Sequence, residues 1–214
     1  MDVAQIKKKY RRNARFYDIL ERPTRQMRER AIQQLALKPG DAVLDFGCGT
    51  GLSFEPLEQV IGPRGHIVGV ELSPEMLAKA QERIVQHGWK NISLIEANAD
   101  EVELQPESVD AALCFYTHDI MKSRRSLEKA VKALRTGGRV VAAGVKRAHG
   151  LHGAVLNLIT HLYSQPFVAD LSGTERPWSH LQNLLGQVNV EEHMWGSSYI
   201  AHGMKKASPK VRDV

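Results

Sequence analysis

Nine consecutive residues, Val43-Leu44-Asp45-Phe46-Gly47-Cys48-Gly49-Thr50-Gly51, constrain this chain more than any other stretch. Val43, Leu44 and Phe46 suit a buried parallel strand, and three alternate glycines follow at once. The chain must turn sharply there. Glycine tolerates positive φ and lets backbone N–H groups approach a bound molecule, so the loop is built to hold something small and polar. A dinucleotide fingerprint would need its third glycine one place later, where Leu52 stands. The Gly-Lys-Ser/Thr ending of a phosphate-binding loop is absent. Asp45, just ahead of the glycines, would repel a pyrophosphate but suits an ammonium group. The loop reads as a cradle for a zwitterion.

Strand and helix signals alternate beyond it. His66 to Val70 is a second strand, ended by Glu71, about twenty residues past the glycines, where a carboxylate can accept hydrogen bonds from both hydroxyls of a ribose. Ser73 and Pro74 then start a helix, as N-cap and first-turn residue. That helix spans Glu75 to His87, with Met76, Leu77, Ala80 and Ile84 on one face, and it stops at Gly88. Further strands follow at Ile92–Ala97, Val109–Phe115 and Arg139–Val145. Two helices precede the glycine loop or follow it directly, at Thr24–Leu37 and Ser53–Ile61, and Leu127, Ala130, Val131 and Leu134 mark another. Such alternation predicts an α/β fold with a doubly wound, mostly parallel sheet, and in such sheets ligands bind at the carboxyl ends of the strands.

From Pro39 to Val145 the chain resembles the class I S-adenosylmethionine (SAM)-dependent methyltransferases, whose first motif, apolar-apolar-Asp-apolar-Gly-x-Gly-x-Gly, is matched at every position from Val43 to Gly51. It is most similar to the type 11 group that includes ubiquinone/menaquinone and bacterial phospholipid methyltransferases. The resemblance implies a Rossmann-like seven-stranded sheet with helices on both faces, closed by an antiparallel hairpin from Val188–Met194 and Ser198–Met204. It implies SAM as cofactor, held by Asp45, Gly47, Cys48, Gly49, Gly51, Glu71 and Leu72, with Phe115 and Tyr116 along the methionine arm. Similar enzymes read the adenine with Asp-Ala after the third strand. Counting back from Ser108-Val109-Asp110 puts Asn98 in the Asp position, followed by Ala99, with Asp100 as the alternative if the loop shifts register. The Leu-x-Pro-Gly-Gly corner of the family appears as Leu134-Arg135-Thr136-Gly137-Gly138, which affects rigidity more than chemistry.

The chemistry is expected at Cys114-Phe115-Tyr116-Thr117-His118-Asp119, the end of the fourth strand. An unperturbed histidine has its pKa near neutrality, so His118 can serve as a general base, line the site or start a helix. Phe16-Tyr17-Asp18 resembles the lid element of similar enzymes, which makes Tyr17 the second candidate for contact with cofactor or substrate. Neither the Asn/Asp-Pro-Pro-aromatic motif of nucleic-acid base amino-methyltransferases nor a Pro-Cys nucleophile is present, so nucleic acid is not the expected partner.

With 214 residues and 43% apolar content, the chain suits one domain. Residues 1–38 read as an N-terminal helical lid, 39–206 as the SAM-binding domain and 207–214 as a disordered tail. The net charge of +5 is concentrated in the first thirty residues, where ten Lys and Arg from Lys7 to Arg30 surround an apolar stripe of Val3, Ile6, Tyr10, Ala14, Tyr17 and Leu20. That stripe packs on the domain or docks on anionic lipid. No apolar run reaches the length of a membrane span, so a cytoplasmic protein is expected, with membrane association through the basic helix as the variant. Cys48 and Cys114 lack metal-ligand spacing, and no metal is expected. Gly150–Tyr163 reads as an apolar helix, Ser164–Pro177 as a loop and Trp178–Leu185 as a helix. The scattered His149, His152, His161, Tyr163, Trp178 and Tyr199 receive no firm role. The function implied is methyl transfer to a nitrogen or oxygen of a small molecule or lipid by a monomer or homodimer. A membrane-docking phosphatidylethanolamine N-methyltransferase and a non-catalytic SAM-binding regulator are the alternatives.

Overall fold

The computed structural model describes residues 24–148, 153 and 174–207. Seven strands, β1 (Ala42–Phe46), β2 (His66–Glu71), β3 (Ile92–Glu96), β4 (Val109–Phe115), β5 (Leu134–Val145), β6 (Val188–His193) and β7 (Ser198–Met204), form one sheet. Their order is β3-β2-β1-β4-β5-β7-β6. The first five run parallel, and β7 enters antiparallel to both β5 and β6. This is the Rossmann-like architecture expected, hairpin included. The direction of strand addition reverses between β1 and β4, which places a crevice at their carboxyl ends.

Both faces of the sheet are covered, so the strands alternate between two cores. Leu44, Phe46, Ala112, Cys114, Val140, Ala142, Tyr199 and Ala201 face the side of α5 (Arg124–Ala133) and α6 (Ser179–Leu185), with Leu127, Ala130 and Leu181. Val43, Ile67, Ala111, Leu113, Phe115, Val141, Ala143 and Ile200 face α1 (Arg25–Gln34), α2 (Phe54–Ile61) and α3 (Pro74–His87). A fully buried Leu, Ile or Phe contributes about 1.5–3 kcal/mol, so this double layer holds the strand ends in a fixed frame.

Several boundaries differ from expectation for local reasons. α1 ends at Gln34 rather than Leu37, because Ala36 takes a positive φ of 50°. Thr24 holds the N-cap position of α1, yet its hydroxyl accepts from the Arg28 guanidinium instead of a backbone N–H. Ser73 does cap α3, accepting from the Met76 N–H at 3.3 Å, and Pro74 opens the helix. β5 begins at Leu134, before the glycine corner: the pairing jumps from Val109–Leu134 to Ala111–Arg139, and Gly137 bulges out with its N–H on the Lys205 carbonyl. A side chain at Gly138 would meet the Arg135 and Asp110 carbonyls at 2.8 and 2.9 Å, so that corner needs glycine. The short helix α4 (His118–Lys122) was legible only as a helix start at His118. Met194 leaves the strand for a turn in which Met194 and Trp195 both have positive φ. Trp178 and Tyr199 are core residues, with rings 5.2 Å apart. The basic helix to Leu20, Phe16, Tyr17 and Asp18, and the histidines and Tyr163 of the 149–163 stretch lie outside the described residues.

Candidate functional site

A cavity of about 260 Å³ opens at the carboxyl ends of β1, β2, β3 and β4. Gly47 and Gly49 from the loop after β1 line it, with Glu71 and Leu72 after β2, Asn98, Ala99 and Asp100 after β3, and Phe115, Tyr116, Thr117, His118 and Asp119 after β4. Ser123 and Ser126, from the start of α5, close the β3 side.

The glycine loop folds as its spacing requires. Gly47, Gly49 and Gly51 all have positive φ, at 85°, 56° and 78°. At Gly47 the demand is also steric, since a Cβ would strike the Thr117 methyl and come within 3.1 Å of Ile120. The bare backbone therefore lets α4 close over the loop. Gly51 serves packing, for a Cβ there would lie 2.5 Å from the Phe54 ring. Cys48 points away from the cavity, its sulfur beside Gly69 of β2. Burial, with the charges of Asp45 and Glu71, pushes its thiol well up. Neither Gly51 nor Cys48 lines the cavity.

Glu71 organises the β2 side. Its Oε1 accepts from the N–H groups of Leu72 and Ser73, each at 2.9 Å, and its Oε2 accepts from Gly49 N–H at 3.1 Å. Burial raises its pKa, against the three N–H bonds that favour the charged form. The carboxylate is thus held in place with lone pairs still available toward the cavity.

Asp45 behaves differently. It is 1% exposed, lies behind the glycine loop rather than in the cavity wall, and has one oxygen, Oδ2, with no hydrogen-bond partner. Burial pushes its pKa up to about 7; Arg28 pulls down and Glu71 pushes further up. An orphaned buried carboxylate oxygen is costly, and it suits a site that receives a positive group.

After β3, Asn98 and Asp100 make different contacts. Asn98 Oδ1 accepts from the Asp100 N–H at 3.1 Å, folding the loop back on itself. Asp100 Oδ1 accepts the hydroxyls of Ser123 and Ser126, which ties this loop to the start of α5. Burial opposes the Asp100 charge, but the two serine hydroxyls and Arg125 outweigh it and hold the carboxyl below its usual range. Both residues face the cavity, and Asn98 retains its amide N–H groups and a second lone pair there.

At the end of β4, Tyr116 takes a left-handed φ of 57° while its N–H bonds the Ala143 carbonyl at 2.7 Å. A bulky residue held so costs of order 1–3 kcal/mol, a strain that concentrates at functional sites. Its hydroxyl reaches Met27 of α1, and its ring lies 4.9 Å from that of Phe115. His118 opens α4 and lines the cavity. Arg28 is buried where its sequence context suggests a solvated basic face. Counted with the basic run of the N-terminus, it is 7% exposed, its guanidinium 4.5 Å from the centre of the Phe115 ring. The signal was its position, one helical turn from Ala31 and Ile32, on the face that α1 buries. Among the described residues no cluster of three or more His, Cys, Asp or Glu could hold a metal ion.

Comparison with known proteins fits this geometry. Residues 43–138 match the model of a methyltransferase domain. An arsenite methyltransferase of Halobacterium salinarum is 31% identical over 51% of this chain and 28% of its own length. A demethylmenaquinone methyltransferase of Alkalihalophilus pseudofirmus is 28% identical over 53% of this chain and 49% of its own. The chain thus spans about half or less of the curated relatives it matches. The fold is shared more widely: a SAM-dependent methyltransferase from Aquifex aeolicus superposes with a TM-score of 0.64 over 95% of this chain and 98% of the other, at 18% identity. Residues 43–138 are thus similar to a methyltransferase domain, a likeness that implies SAM as the cofactor, and the fold is that of the SAM-dependent methyltransferase from Aquifex aeolicus. The residues present suit that cofactor, for the bare Gly47 backbone and the orphaned Asp45 oxygen are features that a bound amino-acid head group would use.

Proposed function

We propose that the chain transfers the methyl group of SAM to a nitrogen or oxygen of a small molecule or lipid by direct displacement. The observation that carries this reading is the one cavity that brings Gly47, Gly49, Glu71, Asn98–Asp100 and Phe115–His118 together at the sheet's reversal point. In this reading Glu71 takes the ribose hydroxyls, Asn98 and the Ala99 N–H meet the adenine edge, with Asp100 fixing their loop, and Asp45 faces the ammonium group across the glycine backbone. Leu72, Phe115 and Tyr116 supply apolar wall. The sulfonium of the cofactor is already an activated methyl donor, so the chain's task is to orient the acceptor, exclude water and take a proton where one is lost. In this reading His118, which lines the cavity, takes it. The relatives named for arsenite and demethylmenaquinone show how widely acceptors vary on this domain, which is why the acceptor here is assigned only by class.

The test is transfer of label from methyl-labelled SAM into a fractionated extract of small molecules and into liposomes. Label in one organic-soluble or small-molecule fraction is the expected result. Protein that binds SAM and labels nothing across both panels would instead support a non-catalytic SAM-binding regulator. His118→Gln should lower kcat by about 100-fold or more while leaving SAM affinity within about twofold, the signature of a lost general base. Flotation with anionic liposomes, repeated after deletion of residues 2–15, separates an enzyme that works on the membrane surface from one that works in solution. No helix among the described residues is long and apolar enough to cross a membrane.

A further inference from the structure

Large apolar side chains exposed to solvent carry information when they stand together. Among the described residues Val60, Val85 and Met204 stand apart, on α2, on α3 and at the far end of β7. Met194 and Trp195 are neighbours, 61% and 87% exposed, in the turn that joins β6 to β7. Both have positive φ, at 49° and 54°, a conformation that bulky residues seldom adopt and that glycine would take without strain.

The strand register fixes where this turn lies. β7 runs antiparallel to β5 with Ser198 opposite Val145, and the Lys146 N–H donates to the Ser197 carbonyl at 2.9 Å. The turn is therefore on the carboxyl rim of the sheet, the rim on which the cavity opens. Three carboxylates near it each have a cation within ion-pair reach: Glu192 has Lys146 at 2.6 Å, Glu191 has Arg30 at 2.9 Å and Glu175 has Arg147 at 3.8 Å. Their negative charge is balanced where the two apolar side chains emerge.

We propose that the Met194–Trp195 turn is an interfacial anchor that inserts into the headgroup region of an anionic bilayer. Size argues against a protein partner, because a stable interface buries about 800 Å² and roughly 20 residues on each side, whereas one Trp offers at most about 250 Å². The residues flanking the pair, His193, Gly196 and Ser197, extend no apolar patch around it. Tryptophan suits the boundary between water and lipid, with an apolar body and an N–H that still finds an acceptor there. One Trp–Met pair does not hold a protein on a bilayer by itself, since stable docking takes two signals. The net charge of +5 supplies the second, a longer-range attraction to anionic lipid. Docked in this way, the chain turns the rim of its cavity toward the bilayer. Combined with the proposed function, on which this last step alone rests, the acceptor is a lipid or a molecule dissolved in one.

The experiment uses the full chain with mixed vesicles of phosphatidylcholine and phosphatidylglycerol, with and without bromine on the acyl chains of the phosphatidylcholine. Of the three tryptophans Trp178 is buried and Trp89 stacks on His87, so the emission lost in Trp195→Gly belongs to Trp195. Wild type should float with the vesicles, its Trp195 emission shifted to the blue and quenched by the brominated lipid. Trp195→Gly relieves the turn, so it should melt at or above the wild-type temperature while binding the same vesicles about tenfold or more weakly. Val85→Ser, which removes an exposed apolar side chain from α3 instead, should bind as wild type does. Wild type that stays off the vesicles overturns the proposal. Wild type that floats with Trp195 unquenched also overturns it, because charge alone then holds the chain. Burial of Trp195 in a dimer, seen as a concentration-dependent blue shift without lipid and a doubled mass in sedimentation, overturns it as well. These readouts need no cofactor, so a chain that lodges Trp195 in lipid and binds no SAM supports the anchor and ends the methyl-transfer reading.

Discussion

Two carboxylates on adjacent strands flank the same glycine loop, and the fold treats them in opposite ways. Glu71, at the end of β2, is half-buried and already accepts three backbone N–H groups, from Gly49, Leu72 and Ser73. Asp45, at the end of β1, is fully buried with one oxygen orphaned, and burial pushes its pKa up to about 7. One carboxylate is satisfied by the chain's own N–H groups; the other keeps an oxygen without a hydrogen-bond partner, which the proposed function matches with the ammonium group of the cofactor. The difference follows from position. β2 ends at a helix start, where free N–H groups are plentiful, whereas the end of β1 lies between two apolar layers, near the opposing charges of Arg28 and Glu71.

The largest expected effect tests the satisfied carboxylate. Glu71→Ala removes the acceptor of three N–H bonds as well as the ribose contact, and should weaken S-adenosylhomocysteine binding about 100-fold or more by calorimetry, with a lower melting temperature in the ligand-free protein. If affinity fell no further than in an Asp45 variant, the contrast between the two would be lost.

The second prediction concerns the carboxylate with the orphaned oxygen and is smaller but depends on pH. If the proposed pairing with the ammonium group holds, cofactor binding needs Asp45 ionised, and affinity should fall as pH drops through about 7, toward tenfold per pH unit below it. Asp45→Asn should weaken SAM binding about tenfold at pH 8 and flatten that profile. The ligand-free protein should show the reverse trend in stability. The folded carboxyl keeps its proton between the ordinary 3.8 and about 7, while the unfolded one has released it, so this group's contribution is full below the lower value and is lost as pH rises through the window. Chemical denaturation of wild type and Asp45→Asn across pH 4–8 reads that difference directly. A flat difference between the two proteins would place the orphaned oxygen in contact with water.

The smallest expected effect sharpens the comparison from outside it. Ser126→Ala removes one of two hydroxyls on Asp100 and should cost about 1 kcal/mol of stability, with at most a few-fold loss of cofactor affinity. A loss as large as that of Glu71→Ala would mean that the β3 loop, rather than the β2 end, anchors the cofactor.

What was legible in the sequence divides along the same line. Alternating strands and helices, the glycine turn, the Ser73–Pro74 helix start and the hairpin from Val188 to Met204 could be read because each depends on local geometry: a period, a cap or a positive φ. Glu71 could be read for the same reason, since it sits one residue past a clear strand. The burial of Arg28 and the serine contacts of Asp100 could not. Arg28 stands in a run of basic residues, and only the packing of α1 on Phe115 distinguishes it from the others. Asp100 depends on Ser123 and Ser126, more than twenty residues away, brought close by the β4 crossover. Cys48 and Gly51 share a motif with Gly47 and Gly49, yet alternation around a tight loop turns them to Gly69 and Phe54 instead of the cavity. Motif membership fixes the turn; which side each residue faces is decided by what packs behind it.

The most direct measurement is the structure of this chain with S-adenosylhomocysteine bound. The account predicts both ribose hydroxyls within hydrogen-bond distance of Glu71 and the amino-acid end beside Gly47, directed at Asp45. A ribose placed away from Glu71, or a ligand lying outside the crevice between β1 and β4, would contradict it.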